Sequence, residues 1–347
     1  MKNITHTFSS LAGFMKKRIL IIVALIAIAG IHGFFLLRDD SKGVDDENYR
    51  KALMHSNKVF SLVLPARVEF AGEETPLSLY YVREGLDREL TVNTYWHSST
   101  ILMLKKAARY FPTIVPILKS NGLPEDFKYL VLIESGLSNV VSPAGAAGFW
   151  QFLPETGKRY GLEINEEVDE RYNLEKSTIA ACKMLKDTKA IFKNWTLAAA
   201  AYNAGEGKIL KELNRQKVDN YYDLYLSAET SRYIYRLLAL KLLYEHPTEF
   251  GFYLRKKDQY PPIPTYQVKV DSTIKDLIAF AGYHKINYRI LKEFNPWLLK
   301  DKLSNTTGKA YTFLIPKPGY EVYDSLVSEI PEGEMIFNDT ITAGKLH

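Results

Sequence analysis

A single cysteine, Cys182, stands among 347 residues, so the chain has no internal disulfide and must hold its fold by its core. Cys182 follows Ala180 and Ala181 in a small-residue helical context, the setting of a packed thiol. No set of Cys and His has metal-ligand spacing, and the calcium-loop pattern of alternating Asp/Asn ending in Gly and Glu is absent. A basic surplus is also missing from the body of the chain. The formal net charge is +5, but Lys2, Lys16, Lys17 and Arg18 precede residue 38 and no acid does. Without those four, 41 bases face 40 acids. That excludes the concentrated basic face of a nucleic-acid binder. The hydrophobic fraction of 46% and charged fraction of 24% exclude wholesale disorder.

One long apolar run is present. Residues 19–37 are nineteen residues with one His and no formal charge, enough to cross a bilayer as a helix. Lys16, Lys17 and Arg18 would hold residues 1–18 in the cytoplasm. Ala27-Ile28-Ala29 before Gly30 also resembles a signal-peptide cleavage site, but the run continues through Phe34, Phe35, Leu36 and Leu37, which favours an uncleaved anchor. No Cys lies nearby to carry a lipid. Either way, the chain beyond Arg38 is exported.

Residues 39–52 are charged and apolar-poor, like a tether. Residues 59–70 have strand-like composition, and residues 79–96 look helical. From Ser98 apolar residues recur at helix spacing, with Pro112 expected to restart the chain and Gly122 to stop it. Pro124-Glu125-Asp126 opens a helix that ends at Glu134-Ser135-Gly136. Further helices are expected over 148–160, 177–191, 195–202, 208–213 and 231–244, with no run of alternating strands between 98 and 246. Residues 254–264 carry charge and proline and mark a boundary. Beyond it Tyr266, Val268 and Val270 alternate. Thr273 and Asp276 make a capping-box-like start for a helix whose face is Ile274, Leu277, Ile278 and Ala281. Tyr288, Leu291 and Phe294 suggest a second helix, halted by Asn295-Pro296, before Tyr311, Phe313 and Ile315 alternate again.

The chemistry concentrates in residues 121–161. There Glu134 follows the apolar run Tyr129-Leu130-Val131-Leu132-Ile133. Apolar neighbours disfavour the carboxylate anion, and a helix C-terminus pushes the same way, so such an acid stays protonated near neutral pH and can donate a proton. Taken alone, the stretch fits a solvated glutamate at a frayed helix end better. Its company changes the balance. Residues 142–151 are mostly small, so their backbone can approach a ligand closely. Ser142 and Gln151 each offer a donor and an acceptor. Phe149 and Trp150 suit either a sugar face or a buried anchor. Tyr202-Asn203 ends an alanine-rich helix, which alone reads as a C-cap. Thr230 or Ser231 caps a helix start from which Tyr233 can aim a hydroxyl at the acid.

In their order, Glu134-Ser135, Gly148-Phe149-Trp150-Gln151, Ala201-Tyr202-Asn203-Ala204-Gly205 and Glu229-Thr230 with Tyr233 resemble the signature of lytic transglycosylases of the goose-type lysozyme superfamily. The Gly-x-Trp-Gln form, followed by Asp169-Glu170-Arg171, is most similar to their membrane-bound type D branch. The resemblance covers roughly residues 95–250. It implies a lysozyme-like all-helical catalytic domain and cleavage of the N-acetylmuramic acid–N-acetylglucosamine bond of peptidoglycan. Glu134 would serve as sole acid, then base, while the muramoyl 6-hydroxyl closes a 1,6-anhydro ring. No second carboxylate stands out as its partner, unlike the pair of ordinary glycosidases; Glu155 and Glu163 read as ordinary charges. The resemblance also implies that Ser142, Gln151 and Tyr233 contact sugar or orient the acid. Tyr202 and Asn203 would line the cleft, and Ser135 would support the turn. It implies no metal or cofactor.

Residues 266–316 resemble a LysM domain, a small βααβ unit that binds N-acetylglucosamine, through Tyr266-Gln267-Val268-Lys269, Thr273-Ile274, Asn295-Pro296 and Phe313-Leu314-Ile315-Pro316. Asp271-Ser272 departs from the usual Gly-Asp, which makes the fold the firmer expectation and glycan binding the weaker. The expected whole is mainly α: an anchor at 19–37, a tether and flank at 38–94, a catalytic domain at 95–253, the module at 265–318 and a tail at 319–347. Its expected partners are peptidoglycan glycan strands and the membrane, with the catalytic domain in the periplasm. The competing readings are a muramidase, in which water completes the reaction, and a non-catalytic peptidoglycan-binding protein.

Overall fold

In the computed structural model Val59 and residues 61–327 are described. The expected cytoplasmic segment, the anchor at 19–37, the tether at 39–52 and residues 328–347 lie outside them. No helix among the described residues is long and apolar enough to cross a membrane.

The chain folds as a mainly helical body followed by a small module with one sheet. In order, the body comprises β1 (Glu69–Phe70), β2 (Glu73–Glu74), α1 (Tyr80–Tyr95), α2 (His97–Ser120), α3 (Lys128–Ser135), α4 (Pro154–Arg159), α5 (Leu174–Phe192), α6 (Trp195–Ala204), α7 (Glu206–Gln216) and α8 (Ala228–Glu245). The module adds β3 (Thr265–Val270), α9 (Leu277–Tyr283), α10 (Tyr288–Phe294) and β4 (Tyr311–Pro316), and a short α11 (Tyr323–Val327) follows. Between residues 98 and 246 there is no named strand.

The body is organised around α8. Tyr233, Ile234, Leu237, Leu238, Ala239, Leu242 and Leu243 are all buried, and α8 packs on α1, α3 and α6. A helix apolar on nearly every face belongs inside a bundle. Its one buried lysine, Lys241, is paired with Asp126 at 2.7 Å, so the charge is not left alone. α2 corrects one expectation. It runs unbroken through Pro112 and Pro116. A proline inside a helix removes a backbone donor and costs about 3 kcal/mol. Both prolines lie on the exposed side. The opposite stripe of Met103, Leu104, Ala107, Phe111, Ile114 and Leu118 is buried, which offsets that cost.

The strand expected at 59–70 is reduced to β1, paired antiparallel with β2. Its hairpin has another role. The Glu73 carboxylate accepts hydrogen bonds from the backbone N–H groups of Trp195 (2.6 Å) and Thr196 (2.8 Å), capping α6 from a distance. The helix expected from residue 148 begins only at Pro154, because residues 148–153 turn tightly.

In the module β3 and β4 pair antiparallel from Thr265↔Pro316 to Val270↔Tyr311. Leu277, Ala281, Leu291, Trp297, Phe313 and Ile315 form its core. This is the βααβ order expected of the segment. The capping box is not formed. Asp276 caps α9 alone, accepting from the N–H groups of Ile278 and Ala279, while the Thr273 hydroxyl accepts from Asn305 N–H at 3.1 Å. Of the expected α9 face, Leu277 and Ala281 are buried and Ile278 is exposed. The connector ahead of the module lies along α2, where Tyr260 N–H donates to Lys105 O at 3.1 Å and Arg109 Nε to Pro261 O at 3.1 Å.

Candidate active site

The apolar run buries α3 as far as Leu132, and Glu134 emerges in its last turn. Gly136 ends the helix in the left-handed region at φ 56°, and Leu137 follows at φ 54° while fully buried. Two such residues in succession are uncommon outside glycine, and the burial of Leu137 holds the turn. The Ser135 hydroxyl donates back to Val131 O at 3.1 Å, which ties the same turn down.

Glu134 is half-buried by surface area, yet protein atoms crowd its carboxyl on most sides. The Tyr233 hydroxyl donates to Glu134 Oε1. Burial pushes the carboxyl up to about 7. The hydrogen bond from Tyr233 and the charge of Arg236 pull against it, and Glu229 adds to it. No cation among the described residues lies within salt-bridge distance of Glu134. Burial and the nearby Glu134 also push the hydroxyls of Tyr202 and Tyr233 well above the ordinary tyrosine value, so both stay protonated donors. A buried acid at the edge of its titration, with a donor fixed on one oxygen, can give up a proton and take it back.

The other candidate residues surround this pair in different ways. Tyr202, near the end of α6, donates to Trp150 O at 2.6 Å. Asn203 follows it, half-buried. Gln151 sits at φ 50° and donates from Nε2 to Gly148 O (2.7 Å) and Val140 O (3.0 Å). The Ser142 hydroxyl accepts from Ala146 N–H at 3.0 Å, closing its own turn. No hydrogen bond links Ser142, Gln151 or Asn203 to Glu134 among the described residues. Phe149 and Trp150 are both buried, which removes the expectation of a stacking face. Trp150 anchors the loop through Nε1 to Thr178 Oγ1 at 2.8 Å, and Phe149 packs edge-on against Tyr110.

Sequence reasoning missed two groups and left a third, Arg171, without a role. Lys106 on α2 donates to Ser138 Oγ (2.6 Å) and Gly136 O (3.3 Å), fixing the turn behind the acid, and burial lowers its pKa. Nothing in the sequence ties it to a turn thirty residues on. Arg236 lies three residues beyond Tyr233 on the same helix face, a spacing that signals the neighbour. Arg171 braces the loop before α4, with Nη1 donating to Gly145 O (2.8 Å) and Phe152 O (3.1 Å). A Cβ on Gly148 would stand 2.0 Å from Arg171 O, so only glycine fits there. Cys182 is buried, with its thiol pushed up to about 11, a packed residue outside this chemistry. Among the described residues no cluster of His, Cys, Asp and Glu is set to hold a metal ion.

Residues 113–224 match the transglycosylase SLT domain, and residues 266–319 match the soluble lytic transglycosylase C-terminal LysM-like domain. The chain thus carries an SLT domain with a LysM-like domain behind it. It is homologous to membrane-bound lytic murein transglycosylase D of Escherichia coli K12, at 28% identity over 268 residues, 75% of this chain and 58% of that protein. The chain therefore spans somewhat over half the length of the curated relatives it matches first. Among solved structures, the 70 kDa soluble lytic transglycosylase of Escherichia coli matches with a TM-score of 0.36 and 16% identity, over 51% of this chain and 33% of that one. Lytic transglycosylase Slt of Pseudomonas aeruginosa, an inactive mutant, matches with a TM-score of 0.33 and 20% identity, over 44% and 26%. At those values neither likeness bears on the chemistry.

Proposed function

We propose that this protein is a peptidoglycan lytic transglycosylase. It cleaves the β-1,4 bond between N-acetylmuramic acid and N-acetylglucosamine and leaves 1,6-anhydro-N-acetylmuramic acid. The observation that carries this reading is the Glu134 carboxyl, raised to about 7 and held by Tyr233, with no second carboxylate hydrogen-bonded to it among the described residues; Glu229, which adds to the rise, is exposed on the first turn of α8. Glu155 is solvent-exposed on α4, 3.3 Å from Lys158, and Glu163 is paired with Lys309. Most glycosidases that use water or an enzyme nucleophile work with two carboxyl groups. A substrate that supplies its own nucleophile needs one.

In this mechanism protonated Glu134 gives its proton to the glycosidic oxygen as the bond to the anomeric carbon breaks. The resulting carboxylate takes the proton of the muramoyl 6-hydroxyl, whose oxygen bonds to the anomeric carbon. The acid is thereby restored, with no water consumed. Tyr233 orients Glu134 and supports its anionic form midway. Ser142, Gln151, Tyr202 and Asn203 line the cleft, and the first three hold its walls as well, since their polar atoms already bind loop backbone. Residues 95–253 form the catalytic unit and residues 265–318 the LysM-like module. The protein works in the cell envelope, anchored through residues 19–37 with the catalytic unit in the periplasm.

Digestion of murein sacculi with wild type and Glu134→Gln side by side, read by mass spectrometry, tests the proposal. Anhydro ends from wild type alone support it. Reducing ends, heavier by one water, would make the protein a muramidase. Binding without release in both proteins would make it a non-catalytic binder.

A further inference from the structure

The Asp169-Glu170-Arg171 motif has no part in the proton chemistry, yet its surroundings are built with care. Residues 163–170 form a tight hairpin, in which Glu170 N–H donates to Glu163 O (2.8 Å) and Glu163 N–H to Glu170 Oε2 (2.9 Å). Ile164 and Asp169 pair antiparallel across it. Asn165 Oδ1 accepts from the N–H groups of Glu167 and Val168 at its tip, each at 2.8 Å.

The tip lies in the C-terminal module. Val168 is 1% exposed and belongs to the module's core, not to the body's. Leu299 N–H donates to Glu167 O (2.8 Å), Ser304 N–H to Glu167 Oε2 (2.6 Å), and Asp169 N–H to Trp297 O (2.9 Å). Glu163 accepts from Tyr311 and pairs with Lys309, which also reaches Glu170 at 3.3 Å. The base lies under the loop before α4. Asp169 holds Arg171 through Nε and Nη2, and Arg171 reaches both ends of that loop at Gly145 O and Phe152 O. The Arg171 backbone meanwhile packs against Gly148.

We propose that this hairpin makes the C-terminal module a brace of the loop that carries Gln151. Arg171 is the positioning residue at its base, and Val168 is the anchor at its tip. The geometry of the brace stands on the contacts alone; its meaning for catalysis rests on the function proposed above. A planar guanidinium is suited to the base, because it binds a carboxylate through one edge while the remaining N–H group serves two carbonyls. A lysine in its place offers a single point of charge. The module is thus part of the catalytic body's structure, whatever glycan it binds.

Hydrogen exchange on the full chain tests the brace without any substrate. The reporters are the amides of Ala147 and Gly148, bonded to Phe152 O and Val140 O at 3.0 Å each. Val168→Ala, at the tip, and Arg171→Lys, at the base, are each expected to speed their exchange about three- to tenfold, the range of one weakened hydrogen bond. Exchange in the centre of α8 stays unchanged, which separates loosening from unfolding. Because both variants act through one hairpin, the double variant falls short of the product of the single effects. Lys309→Met, at a partly exposed site, gives a smaller increase that Lys309→Arg reverses. If Val168→Ala loosens the module while the Ala147 and Gly148 amides keep wild-type rates, or if the two effects multiply, the brace is overturned. Coupled exchange in a protein that releases nothing from sacculi would keep the brace and sink the function.

Discussion

Glu134 and Glu163 each accept a hydrogen bond from a tyrosine hydroxyl, from Tyr233 and Tyr311 respectively. Burial pushes both carboxyls upward, yet Glu134 rises to about 7 while Glu163 is held below the ordinary value. The difference is that the Glu163 carboxyl is the less deeply buried of the two, touches the Lys309 ammonium and accepts a further hydrogen bond from Asn165. Glu134 has only the more distant Arg236, opposed by Glu229. A tyrosine donor weakens the effect of burial, and a contacting cation reverses it. One protein thus places the same two residue types in a carboxyl raised toward neutrality at one place and in a fastener between body and module at another.

The largest expected separation of the two is in activity. Glu134→Gln lowers release of anhydro-muropeptides by about a thousandfold, the scale of a lost general acid, while sacculus binding persists. Glu163→Gln lowers release only a few-fold. Equal losses in the two variants, measured on sacculi at saturating substrate, would erase the distinction.

Stability moves the two in opposite directions with pH. Glu134 has a folded pKa near 7 against an ordinary 4.5, so its ionisation destabilises the fold as pH rises between those values. Glu134→Gln removes that penalty and gains about 1 to 3 kcal/mol at pH 8, with no gain at pH 4, in urea unfolding. Glu163, held below its ordinary value, contributes stability above that value and loses it as pH falls through its folded pKa. Glu163→Gln therefore loses stability at pH 8, by at most about 1 kcal/mol since the pair with Lys309 is partly solvated, and the deficit closes in acid.

Smaller still are the shifts in pH profile. Tyr233→Phe removes a bond that favours the anion, so the alkaline limb of kcat/KM moves up by about half to one unit. Glu229→Gln moves it down by less, because it removes a charge that raises the acid. Tyr311→Phe leaves the limb where it is. A shift with Tyr311→Phe, or none with Tyr233→Phe, would show that the limb does not report Glu134.

Much of this was legible in the residues. Helix periodicity located α1, α3, α5, α6 and α8, and alternation around two helical faces gave the βααβ module its order. The apolar run before Glu134 left a raised carboxyl and a solvated one both open, and only the motifs that follow it in order favoured the raised one. Helix α2 defeated local reading, since Pro112 and Pro116 are tolerated only by virtue of facing outward over a buried stripe. Phe149 and Trp150 were open to two readings because residue type does not say which way a ring points.

By itself, then, the sequence determined most of the helical segments, the apolar run that leads to Glu134 and the absence of an internal disulfide. Those properties stem from local periodicity and from composition. Tertiary structure decided that Lys106 fixes the turn behind Glu134 and that Glu73 caps α6 from a distant hairpin. It also decided that Val168 leaves the body to complete the module's core, with Arg171 beneath the loop before α4. Each of these joins residues far apart in the chain, and only packing brings such partners within hydrogen-bonding reach.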